Sequence, residues 1–284
     1  MMNSEVLGVD IGGTTINIGQ VNNNSIIKES KIDVDRNSKA SVTIQNLKDL
    51  IRENLTANTR AIGIGVPAIV DPIQGIVYDV QNIPSWKKIH LKEILENEFL
   101  LPVYINNDAN CFALGEITYG KAKKHQNVIG LSLGTGIGMG IIINRELYNG
   151  VLCGAGEIGM LPYKDSIIEN YASSFFFIKH YSSTARDLAI NAEKGQPYSL
   201  NAFNEYGKHL GEAIKFILYM FAPDAIVLGG SISNAHTFFK HAMHESLKSF
   251  AYQKQIENLV IEVSTTKGSA ILGAAALCNQ KNNY

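Results

Sequence analysis

The apolar positions of this sequence predict two successive halves that share one order of strands and helices. At the start of the chain, three short β-rich runs are separated by Gly12-Gly13 and by three consecutive asparagines. Such breaks between short runs are typical of an antiparallel meander. Helical spacing then alternates with short apolar strands, which gives the order βββαβαβα. The predicted strands are Val6–Ile11, Ile16–Val21, Ser25–Ser30, Ala61–Val66 and Val103–Asn106, and the predicted helices cover 44–55, Leu91–Phe99 and Ala109–Tyr119.

The same order begins again at Val128, after Gly120 and a polar stretch that marks a boundary. We therefore expect an α/β protein of two domains, 1–120 and 121–267, with the first completed by the C-terminal helix 268–284. The predicted strands of the second half are Val128–Leu133, Met139–Ile143, Glu146–Leu152, Ala225–Leu228 and Leu259–Val263, and the predicted helices are Phe203–Phe221, Phe238–Phe250 and Ser269–Leu277.

Composition and charge exclude some partners and favour one compartment. The 284 residues are 45% hydrophobic and 18% charged, with a formal net charge of -1. A chain without a strong positive field lacks the attraction that draws proteins to nucleic acid or to anionic membranes. The three cysteines form no C-x-x-C pair, and no apolar run approaches the roughly 18 residues that span a bilayer. We expect a cytoplasmic protein that binds neither nucleic acid nor membranes.

Two glycine-rich turns occupy the same place in the two halves, each after the first strand. The first is Asp10-Ile11-Gly12-Gly13-Thr14-Thr15, and the second is Leu133-Gly134-Thr135-Gly136-Ile137-Gly138. Glycine lets the backbone turn tightly and present bare N–H groups to a phosphate, and threonine hydroxyls add further donors. The two turns are candidate phosphate loops, although each alone is equally consistent with a turn that only closes a β-hairpin.

Two further features predict parts of a nucleotide site. Asp10 ends its strand just before the first glycine pair, where a carboxylate either holds Mg²⁺ through water or is an ordinary strand-terminal residue. Gly229-Gly230 follows an apolar strand, so a base or ribose could lie against this bare backbone. The chain has neither the G-x-x-x-x-G-K-S/T pattern of a P-loop nor the G-x-G-x-x-G turn of a dinucleotide-binding fold.

Carboxylates and amides follow other predicted strands. Asn107 and Asp108 stand where a strand ends and a helix begins; such residues cap helices, and a carboxylate there can also accept the proton of an attacking hydroxyl. Glu157 lies among small residues and Glu169 follows soon after, so both could accept hydrogen bonds from a sugar. Glu169 is nearly as typical of a solvated helix start. Asn82 lies in a turn close to the single tryptophan.

Together these motifs resemble the ROK family (repressor, open reading frame, kinase), and the resemblance covers nearly the full chain. It implies a two-domain actin-like ATPase fold of the ribonuclease H-like, hexokinase type, with the order βββαβαβα in each half. It also implies ATP and Mg²⁺ as cofactors, a small sugar as substrate and a homodimer. The motifs that carry the resemblance are residues 10–14, 65–67, 82–86, 107–110, 133–138, 154–159 and 228–230.

The resemblance implies a role for each motif. Asp108 would be the catalytic base of an ATP-dependent kinase that phosphorylates the primary hydroxyl of a hexose, with glucose as the first choice. Asp10 would hold Mg²⁺ through water. The implied ATP-binding residues are Asp10, Gly12, Gly13, Thr14, Thr15, Gly134, Thr135, Gly136, Gly229 and Gly230, and the implied sugar-binding residues are Gly65, Pro67, Asn82, Asn107, Asp108, Glu157 and Glu169.

The sequence departs from the family pattern after Glu157. The family usually carries a zinc-binding histidine after Glu-x-Gly and then a C-x-C-G-x-x-G-C-x-E loop, whereas this chain has Met160 and a short connection to Glu169. We therefore expect no zinc site. Because methionine donates no hydrogen bond, one sugar hydroxyl would lose a partner, and the sugar preference would be relaxed or shifted.

Three alternatives stay open. The acceptor could instead be an N-acetylhexosamine, fructose, mannose or a β-glucoside. Some members of the family are sugar-responsive repressors with a helix-turn-helix ahead of the kinase-like region; here the phosphate loop begins at Asp10, so we expect no DNA-reading domain. The third alternative is a regulatory sugar-binding protein without turnover, although Asp10, Asp108 and both glycine loops are present.

Overall fold

The structure is a computed structural model that describes residues 5–80 and 83–280. Packing divides these residues into two compact units. The predicted division into two domains, 1–120 completed by 268–284 and 121–267, stays a prediction. The first unit comprises 5–80, 83–124, 140–155 and 265–280, and the second comprises 125–139 and 156–264.

The first five-stranded sheet follows the predicted order of elements. Its strand order is β3-β2-β1-β4-β8, antiparallel within the predicted meander and parallel from β1 to β8, so the meander is confirmed. The elements along this part of the chain are β1 (Glu5–Ile11), β2 (Thr15–Asn22), β3 (Ser25–Asp33), α1 (Ala40–Asn54), β4 (Thr59–Val66), β5 (Ile69–Asp71), β6 (Ile76–Tyr78), β7 (Lys88–Ile89), α2 (Leu91–Phe99), β8 (Val103–Asn107) and α3 (Asp108–Thr118).

A small three-stranded sheet, β5-β6-β7, is inserted between β4 and α2 and was not predicted. Its strands have only two or three residues, too few for an alternating pattern to emerge. Trp86 lies just before β7 and is fully buried in the core of the first unit, together with Val70 and Val77 of the small sheet. The tryptophan therefore packs in the core.

The rest of the chain builds a second five-stranded sheet of order β11-β10-β9-β14-β15, in which β14 is parallel to both β9 and β15. Among the described residues, no helix is both long and apolar enough to cross a membrane. The elements are β9 (Val128–Leu133), β10 (Ile137–Ile143), β11 (Glu146–Leu147), β12 (Pro162–Tyr163), β13 (Ser166–Ile167), α4 (Glu169–Ala172), α5 (Ser174–Tyr181), α6 (Ala185–Glu193), α7 (Pro197–Phe221), β14 (Ala225–Gly229), α8 (His236–Leu247), α9 (Gln253–Asn258), β15 (Val260–Val263) and α10 (Ser269–Leu277), with 3₁₀ turns at Val151–Cys153, Ile158–Met160 and Ser231–Ala235.

The predicted strand Glu146–Leu152 is wrong beyond its second residue. The structure has a strand only at Glu146–Leu147, and the chain then turns into the 3₁₀ segment Val151–Cys153. Leu152 and Cys153 both adopt the left-handed backbone region, with φ of 53° and 55°. Two consecutive left-handed residues cannot extend a strand. Neither position is a glycine, so the sequence gives no sign of the turn there.

Helix α10 packs against the first sheet and against α3, and nearly all of its side chains are buried. The approach of the two helices requires glycine at position 273. A Cβ added there would lie 1.7 Å from the backbone oxygen of Cys111 in α3, far inside any permitted contact. The predicted helix over Ser269–Leu277 is confirmed, and its small residues set the distance at which α3 lies.

A cluster of aromatic and histidine side chains holds the β12–β13 hairpin against α4 and α7 in the second unit. The Tyr163 hydroxyl lies 3.0 Å from Nδ1 of His209, and the two rings meet edge to face. The Tyr171 ring packs against both of them. Burial first, and then the nearby Lys164 charge, lower the pKa of His209 to about 4. The cluster therefore holds this imidazole in its neutral form at neutral pH.

We expect the stability of the protein to fall as the pH drops from about 6.5 towards 4. The unfolded chain binds a proton at His209 in this range and the folded chain does not, so acid favours unfolding. Because His209 is only partly buried, solvent screening reduces its contribution, and we expect it to account for no more than about 1 kcal/mol of the stability lost between pH 7 and pH 5. Urea unfolding at both pH values should show a smaller pH effect for His209→Gln than for wild type, and the exposed His241→Gln control should keep the wild-type pH effect. An equal pH effect in all three proteins would contradict the assignment.

Candidate functional site

Three predicted site segments of the first unit lie side by side at one edge of the first sheet. Strands β1, β4 and β8 run parallel, and their registers place Asp10 opposite Gly65, and Gly65 opposite Asn106. Neighbouring strands in a sheet are about 4.8 Å apart. The ends of these strands therefore bring together Asp10, Gly65 and the turn that leads from Asn106 into α3.

The first glycine loop joins β1 to β2 and closes a β-hairpin, and its role as a phosphate loop stays a prediction. The Gly12 N–H donates to the Thr15 carbonyl at 2.8 Å, so the loop closes a hairpin. Thr14 is exposed at the tip, and its carbonyl accepts from the Val34 N–H at 2.8 Å. The loop is thus held in shape by backbone hydrogen bonds while the Thr14 side chain stays accessible.

Asp10 is the carboxylate at this edge that fits a divalent cation. Burial raises its pKa, and a weak hydrogen bond at 3.5 Å from Asn17 Nδ2 opposes that shift. A cation beside the carboxylate would favour its charged form. Mg²⁺ is usually bound through one or two carboxylates, with phosphates and waters as its other ligands. A single carboxylate next to a candidate phosphate loop fits this donor set.

Helix α3 begins at Asp108, and Asn107 is its N-cap. The Asn107 side-chain oxygen accepts from the N–H groups of Ala109 at 2.9 Å and Asn110 at 3.3 Å. The capping role is therefore confirmed for Asn107. Asp108 is half-buried, and its Oδ1 accepts from the Ala109 N–H at 2.9 Å. Because Asn107 fills the cap position, Asp108 is not needed for it.

Gly65 and Pro67 lie where β4 reaches this same turn. A Cβ on Gly65 would lie 3.1 Å from Cys111 Sγ and 3.5 Å from the Asp108 Cα, so glycine allows α3 to approach β4 closely. Pro67 follows the end of β4, and the next carbonyl, that of Ala68, accepts from Asn107 Nδ2 at 3.4 Å. Gly65 and the Ala68 carbonyl thus support the Asn107–Asp108 turn, and Pro67 lies between them in the chain. Asn82, the remaining predicted sugar ligand of this unit, lies outside the described residues.

The second glycine loop, in the second unit, packs on the start of α5. The Gly134 N–H donates to the Gly136 carbonyl at 3.0 Å, and the Ser174 N–H donates to the Gly134 carbonyl at 2.9 Å. Ser174 Oγ also donates to the Thr135 carbonyl at 3.1 Å. Ser174 was not predicted as a site residue, because the sequence reads here as an apolar stretch with two serines ahead of three phenylalanines. Space in front of Gly134 is open, since an added Cβ would meet no atom within 4 Å.

Gly229 and Gly230 lie against this second loop. Gly229 ends β14 opposite Ser132 of β9. Gly230 has φ of 80°, and a Cβ there would lie 2.3 Å from the Leu133 carbonyl oxygen, at the start of the glycine loop. Only glycine fits both the backbone conformation and the space. The structure therefore brings together two of the predicted nucleotide segments, 133–138 and 229–230.

Glu157 and Glu169 lie near each other in the second unit. Glu169 is the first residue of α4, and its Oε2 accepts from the Ile137 N–H of the second glycine loop at 3.2 Å. Glu157 is exposed, yet the packing around its carboxyl, and then the charge of Glu169, raise its pKa. The contact between Glu169 and the glycine loop was not predicted, because 32 residues separate the partners. In the described residues, no group of three or more His, Cys, Asp or Glu could hold a metal ion.

Comparison with known proteins decides the family. A sequence model of the ROK family matches residues 6–281. The chain belongs to the ROK family. Its mixed α/β architecture, built on two five-stranded sheets, is the actin-like ATPase fold of ROK sugar kinases. A ROK family glucokinase from Streptomyces griseus, solved in complex with glucose and AMPPNP, superposes with a TM-score of 0.85 at 24% identity, covering 96% of this chain and 99% of that one.

Curated ROK relatives include both enzymes and repressors. A glucokinase of Halalkalibacterium halodurans is 27% identical over 98% of this chain and 96% of its own length. The xylose repressor of Bacillus subtilis is 32% identical over 87% of this chain, which corresponds to 70% of the repressor. Identity to these two ROK proteins therefore does not separate a kinase from a repressor, and the residues of the site must do so.

Proposed function

We propose that this ROK protein is an ATP-dependent sugar kinase that transfers the γ-phosphoryl group to the primary hydroxyl of a hexose, with glucose as the first candidate. The observation that carries the proposal is the placement of Asp108. Its carboxylate stands one residue beyond the helix cap, oriented by the Ala109 N–H, on the same sheet edge as Asp10 and the first glycine loop. A carboxylate so placed has the geometry of a general base.

In the proposed reaction, Asp108 accepts the proton of the sugar hydroxyl as its oxygen attacks the γ-phosphorus. A bond forms between the sugar oxygen and phosphorus, the bond from phosphorus to the β-phosphate oxygen breaks, and ADP leaves. The protein takes little part in the covalent chemistry of such a transfer, so most of the rate acceleration comes from positioning the reactants and stabilising the developing charge. The N–H groups and hydroxyls of the two glycine loops are the proposed donors to the phosphates.

Several residues are proposed to hold the nucleotide and its metal. Mg²⁺, held through water at Asp10, would offset charge on the phosphates. The bare backbone at Gly229-Gly230 would accept the base or ribose. The start of α5 lies beside the second loop, where the Ser174 N–H and hydroxyl donate to the loop carbonyls and hold its shape. The proposed ATP ligands are Asp10, Gly12, Gly13, Thr14, Thr15, Gly134, Thr135, Gly136, Gly229 and Gly230.

We expect Gly134→Ala to weaken ATP binding without lowering the stability of the fold. The added methyl group meets no atom within 4 Å, so the free energy of unfolding should change by less than about 0.5 kcal/mol. The same methyl would fill the space in which a phosphate approaches the loop, and we expect the KM for ATP to rise about 10-fold. Steady-state kinetics and urea unfolding measure the two effects. An unchanged KM for ATP would remove the second loop from the proposed phosphate site.

The proposed sugar ligands are less evenly supported. Asn107 and Asp108 are held at the end of β8, where Gly65 and the Ala68 carbonyl support them, and Pro67 stays a proposed ligand by its place between Gly65 and Ala68. Glu157 is exposed, and its raised pKa is consistent with a carboxyl that shares its surroundings with Glu169. Met160 is 48% exposed and is the last residue of the 3₁₀ turn after Glu157. A thioether here offers no donor, so we propose a relaxed or shifted choice among hexoses.

ADP release from ATP and Mg²⁺ against a panel of sugars tests the proposed function. The panel contains glucose, mannose, fructose, N-acetylated hexosamines, a β-glucoside and xylose. We expect one or more hexoses to stimulate ADP release well above the rate without sugar. Sugar binding without stimulated ADP release, measured by calorimetry, would instead favour a regulatory sugar-binding protein. That second candidate is favoured by the xylose repressors among the curated relatives.

A further inference from the structure

Two buried asparagines of the first unit and the half-buried Asn149 form a chain of hydrogen bonds behind the Asn107–Asp108 turn. Asn106 and Asn110 are completely buried. The Asn106 Oδ1 accepts from the Asn107 N–H at 2.8 Å and from Asn110 Nδ2 at 2.9 Å. The Asn106 Nδ2 donates to Asn149 Oδ1 at 2.9 Å. Burying an amide without hydrogen bonds costs free energy, so these hydrogen bonds fix the orientation of the Asn106 side chain.

Asn149 reaches this chain from a distant loop that is itself closed. Asn149 follows β11, and its carbonyl accepts from the Ala155 N–H at 3.1 Å. Tyr148, the residue before it, donates its N–H to the Ile141 carbonyl at 2.8 Å. Within this loop, Cys153 is buried in the core of the first unit. The loop therefore presents the Asn149 side chain from a backbone held on both sides.

Asn106 connects Asn149 to the proposed base, Asp108, through a series of hydrogen bonds. Its Oδ1 holds the N–H of Asn107, and Asn107 in turn holds the N–H groups of Ala109 and Asn110 through its own side-chain oxygen. Asp108 lies between these anchored residues, and the Ala109 N–H, which donates to the capping Asn107 oxygen, also donates to Asp108 Oδ1. A rotation of the Asn106 amide would therefore shift the backbone from which the Asp108 carboxylate projects.

We propose that Asn149 is a positioning residue for Asp108, acting through Asn106. This inference rests on the proposed function, because it assigns Asn149 a kinetic effect only if Asp108 is the base. The Asn149 side-chain oxygen holds the Asn106 amide in the orientation that presents Oδ1 to both the Asn107 N–H and Asn110 Nδ2. Misplacement of a reacting group by a fraction of an ångström slows a proton transfer more than it weakens substrate binding.

The test compares kcat and KM for the best sugar among four proteins: wild type, Asn149→Ala, Asn149→Asp and the exposed control Asn37→Ala. The alanine variant removes the oxygen that Asn106 Nδ2 reaches, and we expect kcat to fall about 10-fold, with the sugar KM within about 2-fold of wild type. Aspartate keeps an oxygen at the same place, so it should restore kcat to within about 3-fold of wild type. Asn37→Ala should equal wild type.

A double variant separates positioning from general damage. In an Asp108→Asn background there is no base to position, so adding Asn149→Ala should cause no further loss of kcat. An additional loss, an equal fall for the alanine and aspartate variants, or an unchanged kcat in Asn149→Ala would each overturn the inference while leaving the kinase proposal standing. If Asp108→Asn keeps the wild-type rate, or if no sugar is phosphorylated by wild type, the proposed function and this inference fail together.

Discussion

Asp108→Asn is expected to lower kcat for sugar phosphorylation by about 10²- to 10⁴-fold. Asparagine has nearly the same shape and keeps an Oδ1 that can accept from the Ala109 N–H, so the start of α3 should be preserved. Its amide cannot take the proton of the attacking hydroxyl. The sugar dissociation constant should change far less than kcat, because binding does not require proton transfer. Initial rates of ADP release and calorimetric sugar binding measure the two quantities.

Helix α6 offers a matched control for this substitution. Asp187 also lies in the first turn of a helix, where it is exposed and hydrogen-bonded to the cap residue Thr184. Asp187→Asn should turn over at the wild-type rate. If Asp108→Asn stays within about 3-fold of wild type, proton transfer to this carboxylate does not contribute to the rate, and a different base or none must be sought.

Gly273→Ala is expected to reduce the free energy of unfolding by about 3 kcal/mol or more. The added Cβ would lie 1.7 Å from the Cys111 carbonyl oxygen and 2.8 Å from the Gly115 nitrogen, both backbone atoms of α3. Backbone cannot rotate aside as a flexible side chain can, so α10 and α3 must move apart. Urea unfolding at neutral pH measures the loss.

Gly134→Ala is the control for this prediction, since the same methyl group there meets open space. The two variants should therefore differ by several kcal/mol although the chemical change is identical. A Gly273→Ala protein within about 0.5 kcal/mol of wild type would show that α10 does not lie this close to α3. Because Asp108 begins α3, a folded Gly273→Ala protein should also lose activity.

Most of the principal elements could be predicted from sequence because burial imposes a period on them. In α7, the buried Phe203, Tyr206 and Leu210 recur at helical spacing and mark its apolar face. The strands β5 to β7 and the β12–β13 hairpin have two or three residues each, so no period could develop. The turn at Leu152 and Cys153 was missed because neither residue type favours the left-handed region.

The candidate site could be predicted where its residues follow strands, and not where distant segments meet. Asp10, Gly65 and Asn107 lie within the last two residues of the parallel strands β1, β4 and β8, so their proximity follows from strand order. The bond from the Ile137 N–H to Glu169 and the bond from Asn106 to Asn149 join positions 32 and 43 residues apart. Such contacts depend on how loops close, which local patterns do not report.

The most direct test of the kinase proposal follows the phosphoryl group itself. Wild-type protein is incubated with glucose, Mg²⁺ and ATP labelled with oxygen-18 on the γ-phosphate, and the products are identified by mass spectrometry. The proposal predicts a hexose 6-phosphate that carries the label, formed by wild type and nearly absent with Asp108→Asn. Label recovered only in ATP or inorganic phosphate, with glucose and with every other sugar of the panel, would contradict it.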